Sequence, residues 1–163
     1  MTPGMEEDFK NGMRRLAGAV HLVTTSDGAE HQGLTATAVC SLTVDPPTLV
    51  VCVNRSASAH DAIVSNGVFA VNVLSRQQQD LAQLFSDTTA IEKRFQVGEW
   101  SSLVTGAPVL LGSLCNFDCR LQESVQQSTH TLFIGSVVGV TRSDENAPLM
   151  YFDGGYATIS SVT

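Results

Sequence analysis

The segment GLTATAVCSLTV, residues 33–44, sets Thr35, Thr37, Ser41 and Thr43 among small apolar residues. A strand here carries hydroxyls along one face. Such a stripe either lines a ligand or faces solvent as an ordinary threonine-rich strand. A second candidate is NRSASAH, residues 54–60, where a strand ends and a helix begins. Asn54, Arg55, Ser56 and Ser58 supply an amide, a guanidinium and two hydroxyls, and unpaired N–H groups at a helix start attract an anion such as a phosphate. Ser58 is explained equally as a helix cap. His130 opens the apolar run THTLFIG, while His21, His31 and His60 share no spacing with it or with a carboxylate. Without H-x-x-x-H or H-E-x-x-H, no zinc or other metal site is expected. No nucleophile elbow or carboxylate pair supports a hydrolase.

The cysteines do not change this reading. In LCNFDCRLQ, Cys115, Phe117, Cys119 and Leu121 alternate with polar residues, which predicts a strand with one buried face. Two strand residues four apart lie about 13 Å from each other, too far to share a metal. Both cysteines are therefore expected as small core residues.

These residues need elements to hold them. Met5, Phe9, Met13 and Leu16 share one helical face, predicting a helix over 5–17 closed by Gly18. Val20–Thr25 and Leu34–Leu42 read as a hairpin, DPP at 45–47 breaks its second strand, and TLVVCVN follows as a central strand buried on both faces. Ser58 is expected to cap a helix over Ala59–Asn66, with Asp61 as a capping-box-like partner. VFAVNVL is a strand, and Ser75 precedes a helix that aligns Gln78, Leu81 and Phe85. Residues 86–106 read as irregular chain covering a pocket. Long strands near 112–125 and 130–142 form a hairpin through 126–129, and LMYF and YATI a short pair. Many closely spaced strands with few helices predict an antiparallel barrel rather than a parallel sheet. No G-x-G-x-x-G exists, so any nicotinamide binds without a Rossmann phosphate loop.

The 163 residues suit a single domain spanning 1–163. A net charge of −7 argues against a nucleic-acid partner. The longest apolar run is too short for a bilayer and the N-terminus is acidic, so no membrane association and a cytoplasmic location are expected. The low charged fraction, 15%, is consistent with a homodimer that covers part of the surface.

In GLTATAVCSLTVDPPTLVVCVNRSAS, VFAVNVLSRQQQDLAQLF, EKRF, Trp100, FDC at 117–119, THTLFIG and PLMYFDGGYATI, the chain resembles the flavin reductase components of two-component monooxygenases. The likeness runs over nearly its whole length. It implies a mainly β fold with a few helices, the FMN-binding split barrel with Greek-key antiparallel strands. It implies that NADH, or NADPH, reduces FMN or FAD, which then leaves to supply a separate oxygenase. Thr35, Ala36, Thr37, Ala38, Val39 and Ser41 would line the ring and ribityl chain. Asn54, Arg55, Ser56 and Ser58 would hold the phosphate end. Phe85 and Tyr156 would lie near the flavin and His130 near the nicotinamide, with no side chain required as acid or base. The alternatives are an oxidase of the same fold that retains its flavin and a non-catalytic flavin-binding protein. Two departures stand out: Ser128-Thr129 precedes His130 where close relatives often carry Gly, and Gly154-Gly155 replaces a basic or bulky pair.

Overall fold

In a computed structural model that describes residues 4–144 and 147–160, the β-branched runs of the sequence become strands. In chain order these are helix α1 (Met5–Met13), β1 (Gly18–Ala19), β2 (His21–Ser26), β3 (His31–Ala36), β4 (Val39–Val44), β5 (Pro47–Asn54), α2 (His60–Asn66) and β6 (Val68–Val73). There follow α3 (Gln79–Ser86), β7 (Trp100–Ser102), β8 (Pro108–Leu110), β9 (Cys115–Gln127), β10 (His130–Arg142), β11 (Met150–Phe152) and β12 (Gly155–Ala157).

Seven strands form one antiparallel sheet in the order β3-β2-β6-β9-β10-β5-β4. The β9–β10 hairpin inserts between β5 and β6. The two edge strands, β3 and β4, are consecutive in the chain and separated by Thr37 and Ala38 alone. A two-residue link cannot span an open seven-stranded sheet, whose strands lie roughly 4.8 Å apart, so the sheet must curl into a barrel. The expectation of one strand over Leu34–Leu42 is corrected accordingly. The hydroxyl stripe is cut at Thr37, leaving Thr35 on one edge and Ser41 and Thr43 on the other.

The barrel interior holds Val23, Val51, Val53, Phe69, Val71, Cys119 and Phe133, all fully buried. Cys119 is a core residue whose thiol burial pushes its pKa up to about 12, so it stays protonated. All four cysteines are free. Outside the barrel, α3 packs Leu81, Ala82 and Phe85 against Val20, Leu22, Leu74 and Leu110.

Other expectations are revised. β5 lies second from an edge, and only the Leu49, Val51 and Val53 face is fully buried. In β9 the first two residues of the polar face, Asn116 and Asp118, are buried as well, while Arg120 and Gln122 are exposed. Asp118 is wholly enclosed and accepts from the N–H groups of Val104 and Thr105 and from the Thr105 hydroxyl, while Asn116 bonds Asn72. A layer of backbone above the sheet, invisible to a period-two pattern, satisfies these groups. Helix α1 ends at Met13, and Gly18 begins β1 instead of closing the helix. Residues 86–106 contain a 3-10 turn at Ile91–Gln96 and strand β7.

The hairpins follow their turn chemistry. Asp153 and Gly154 both have positive φ (49° and 84°) between the paired Phe152 and Gly155, the geometry for which Asp-Gly is suited. The β9–β10 turn is Ser128-Thr129, with Ser128 at φ 51°, so a non-glycine residue holds the left-handed position. The hairpin forms without glycine there.

Candidate functional site

The break between β3 and β4 opens a groove of about 460 Å³. One wall is the end of β3 and the break itself, Leu34, Thr35, Ala36, Thr37 and Ala38. Thr35 is oriented by its hydroxyl, which donates to the Ala82 carbonyl of α3 at 2.7 Å. Behind Ala36, the buried His21 has Nδ1 3.2 Å from the Ala36 carbonyl, and burial lowers its pKa. Cys52 of β5 forms the floor, its N–H donating to the Ala38 carbonyl at 2.9 Å.

At one end stand Asn54, Ser56 and Ser58. Asn54 Oδ1 accepts from both the N–H and the hydroxyl of Ser56 at 2.9 Å, which shapes the turn after β5. Ser58 does not cap α2. The helix begins at His60 after Ala59, with no side-chain cap, and Asp61 bonds the His60 ring instead. Among the described residues, the N–H groups of Thr37, Ala38, Ser58 and Ala59 donate to no protein acceptor. His130 sits opposite Asn54 in the ladder and also lines the groove.

The opposite wall is Phe85 and Ser86 of α3 with Thr88, Ile91 and Arg94. Arg94 was not among the residues singled out from the sequence. It is 3% exposed, donates through Nη1 to the Gly33 carbonyl (2.6 Å) and the Ser58 hydroxyl (3.0 Å), and through Nη2 to the Asp87 carbonyl (2.9 Å). Its Nε has no partner, and no carboxylate lies within ion-pair distance among the described residues. Burial pulls its pKa down, opposed by the nearby Asp87, yet a guanidinium remains charged. The Phe85 ring centroid lies 5.7 Å from its Cζ; Phe85 in turn packs edge to face on Phe95, and Trp100 tilts against both rings. The only sequence signal was an arginine between apolar Ile91 and Phe95, within EKRF.

Of the residues expected at the site, Thr35, Ala36, Thr37, Ala38, Asn54, Ser56, Ser58, Phe85 and His130 share the groove. Four lie elsewhere. Val39 packs on the barrel core and Ser41 is exposed on β4. Arg55 is exposed in the turn, where its N–H bonds the Thr129 carbonyl. Tyr156 lines an adjoining hollow with Tyr151, Thr37 and Ser86.

The groove thus has apolar walls from Ala36, Leu34, Ile91 and Phe85 and a polar end with a buried cation that has no carboxylate within ion-pair distance among the described residues. It suits a flat, largely apolar ring carrying an anionic tail. No group of three or more potential metal ligands exists among the described residues, and no described helix is long and apolar enough to cross a membrane.

The match to known proteins is broad. Residues 13–160 fit the family described as flavin reductase like domain, and the chain belongs to that family. It is 45% identical over 159 residues to the protein named FMN reductase (NADH) RutF of Stutzerimonas stutzeri, covering 98% of this chain and 91% of that one. Among solved structures, it is similar to the NADH:FAD oxidoreductase SgcE6 of Streptomyces globisporus C-1027. The TM-score is 0.90 at 25% identity, over 99% of this chain and 97% of the other. BorF, the flavin reductase component of a bacterial two-component tryptophan halogenase, gives a TM-score of 0.88 at 28% identity, over 96% and 99%. The fold is accordingly the flavin reductase split barrel, mainly β and antiparallel, as its sequence implied.

Proposed function

We propose that this single domain is an NADH-dependent flavin reductase that takes FMN or FAD as a dissociable substrate and passes the reduced flavin to a separate oxygenase. The observation that carries this reading is Arg94: a buried guanidinium with no carboxylate within ion-pair distance among the described residues, its Nε unpaired, at the polar end of an apolar groove. A flavin phosphate supplies the missing anion and the ring fills the apolar part.

When bound, the flavin supplies the chemistry, accepting a hydride from the nicotinamide at its ring nitrogen. The residues of the chain bind and align. The N–H groups of Thr37 and Ala38 offer donors to the polar edge of the ring, Asn54, Ser56 and Ser58 face the ribityl and phosphate end, and Phe85 and Ile91 keep water from the ring. Val39, Ser41 and Arg55 are assigned no side-chain contact, and Tyr156 borders the groove from the adjoining hollow. His130, which pairs with Asn54 and lines the groove, is read as a contact for the nicotinamide. No proton need be moved by a side chain.

A homodimer fits the outer face of the barrel beside the groove. There the exposed Val125 and Leu132 are directly paired, and Leu132 is paired in turn with Cys52.

The test is NADH oxidation followed by absorbance with FMN, FAD or no flavin added. Turnover that requires and saturates with added flavin is expected. Flavin binding without nicotinamide oxidation would sink the reductase reading in favour of a binding protein. Oxygen consumption driven by another substrate, with flavin retained through gel filtration, would select an oxidase.

A further inference from the structure

We infer that the carboxylate-lined hollow beyond Ser58 makes the groove select FMN over FAD, with Asp27, Glu30 and Asp61 as the specificity-determining residues. The inference rests on the flavin placement in the reductase reading and goes past it, since that reading leaves the two flavins equivalent. FMN ends at its phosphate, whereas FAD continues through a second phosphate to adenosine. Whatever lies beyond the phosphate end of the groove therefore meets FAD alone.

Arg94 marks that end. Its guanidinium is 3% exposed, donates to the Ser58 hydroxyl at 3.0 Å and keeps Nε unpaired. Two of the hollows that adjoin the groove share Thr37 with it, at the β3–β4 break where the ring is placed. A third, about 300 Å³, shares Ser58 and so continues the groove from its phosphate end. Asp27, Glu30 and Asp61 line it, and none of its lining residues is basic or aromatic.

The carboxylates are not neutralised by neighbouring cations. Asp27 Oδ1 accepts from the N–H groups of Ala29 (2.9 Å) and Glu30 (2.8 Å), bonds that hold its pKa below the usual carboxylate range. Asp61 Oδ1 lies 2.8 Å from Nδ1 of His60, whose Nε2 is 2.8 Å from the Thr131 hydroxyl. Among the described residues, no lysine or arginine stands within ion-pair distance of any of the three. His31, next to Glu30 in the chain, is turned to the Ser26 hydroxyl at 2.9 Å and to the Phe95 ring, outside the lining of the hollow. The phosphate of FMN stops at Ser58 against Arg94. The second phosphate of FAD enters the field of the carboxylates, and its adenine finds no aromatic surface to stack on. Each exposed carboxylate within a Debye length of that phosphate weakens binding by a factor of about two, and the three together by about five- to tenfold.

The test is equilibrium dialysis of FMN and of FAD against the full-length protein, with the flavin read by absorbance. The native protein is expected to bind FAD about tenfold or more weakly than FMN at low salt. Combined replacement by Asp27→Asn, Glu30→Gln and Asp61→Asn keeps the turn acceptor at position 27 and should lower the Kd for FAD about five- to tenfold while moving that for FMN less than about twofold. Added salt should narrow the native ratio and leave the ratio of the triple variant unchanged. Equal native affinities, a triple variant that keeps the native ratio, or a native ratio indifferent to salt overturns the inference. Binding of neither flavin overturns the groove assignment and the inference with it. Binding of both in the expected ratio, without NADH oxidation in the presence of either, upholds the inference and sinks the reductase reading alone.

Discussion

Arg94 does two things at once, and the two can be separated. It ties Gly33, Ser58 and Asp87 together and it presents charge to the groove. Arg94→Ala is expected to weaken FMN binding by about 1.5–3 kcal/mol, the scale of a lost charged hydrogen bond. Riboflavin, which lacks the phosphate, should lose far less, as fluorescence titration of the two flavins would reveal. Equal losses would reduce Arg94 to a structural clamp. His21 carries a pH dependence of the opposite kind. Its folded pKa is lowered by burial, so the unfolded chain binds more protons between that value and 6.5. The stability from keeping His21 neutral is full above about pH 6.5 and drains away as the pH falls toward the folded pKa. Urea midpoints taken at descending pH should drop across that window, and His21→Gln should flatten the drop. A variant that tracks the native curve would assign the loss to other groups.

At the scale of elements, the site exists because β3 and β4 part company at Thr37-Ala38, and the parting depends on how the outer elements are fastened. Asn72 of β6 fastens one of them. Its amide nitrogen donates to the Leu22 carbonyl (3.0 Å) and Thr24 hydroxyl (3.1 Å), and its oxygen accepts from Leu110 N–H (2.8 Å) and Asn116 (2.7 Å). Asn72→Ala leaves these buried groups unpaired and should cost about 1–3 kcal/mol of stability, measured as a lowered urea midpoint. A midpoint within error of the native one would mean that β8 repacks without this anchor. Gly33 acts on the other side, where a Cβ would come 2.8 Å from the Phe85 ring and 3.1 Å from the Val23 carbonyl. Gly33→Ala therefore forces α3 away from β3, at a cost of roughly 1–3 kcal/mol, and should weaken FMN binding because both Phe85 and the acceptor for Arg94 move. Native affinity in a folded Gly33→Ala protein would show that the wall yields without consequence.

For the whole molecule, a ligand that binds only the folded state adds RT ln(1 + [L]/Kd), about 2.7 kcal/mol at a hundredfold excess over Kd. FMN should raise the melting temperature with a logarithmic dependence on its concentration, and riboflavin at equal concentration should do less. A melting temperature indifferent to FMN would contradict the groove as a flavin site. The long strands and the β2–β3 and β9–β10 hairpins were legible from the residues alone, as were the hydroxyls and amide of Thr35, Thr37, Asn54, Ser56 and Ser58, because alternation and turn residues act within a few positions of themselves. Ala36, Ala38, Phe85 and His130 came from the resemblance to a known family. The tertiary structure alone decided which strands became neighbours, since β3 and β4 lie next to each other in sequence yet at opposite edges of the sheet. It also decided that Asn116 and Asp118 are buried on the face read as polar, and that Ser58 accepts from Arg94 rather than capping a helix. Those outcomes depend on contacts between segments 36 residues apart, for Ser58 and Arg94, or 61 apart, for Gly33 and Arg94. Local periodicity carries no information about such pairings, because the same alternation satisfies many ladder orders and only closure of the barrel selects one.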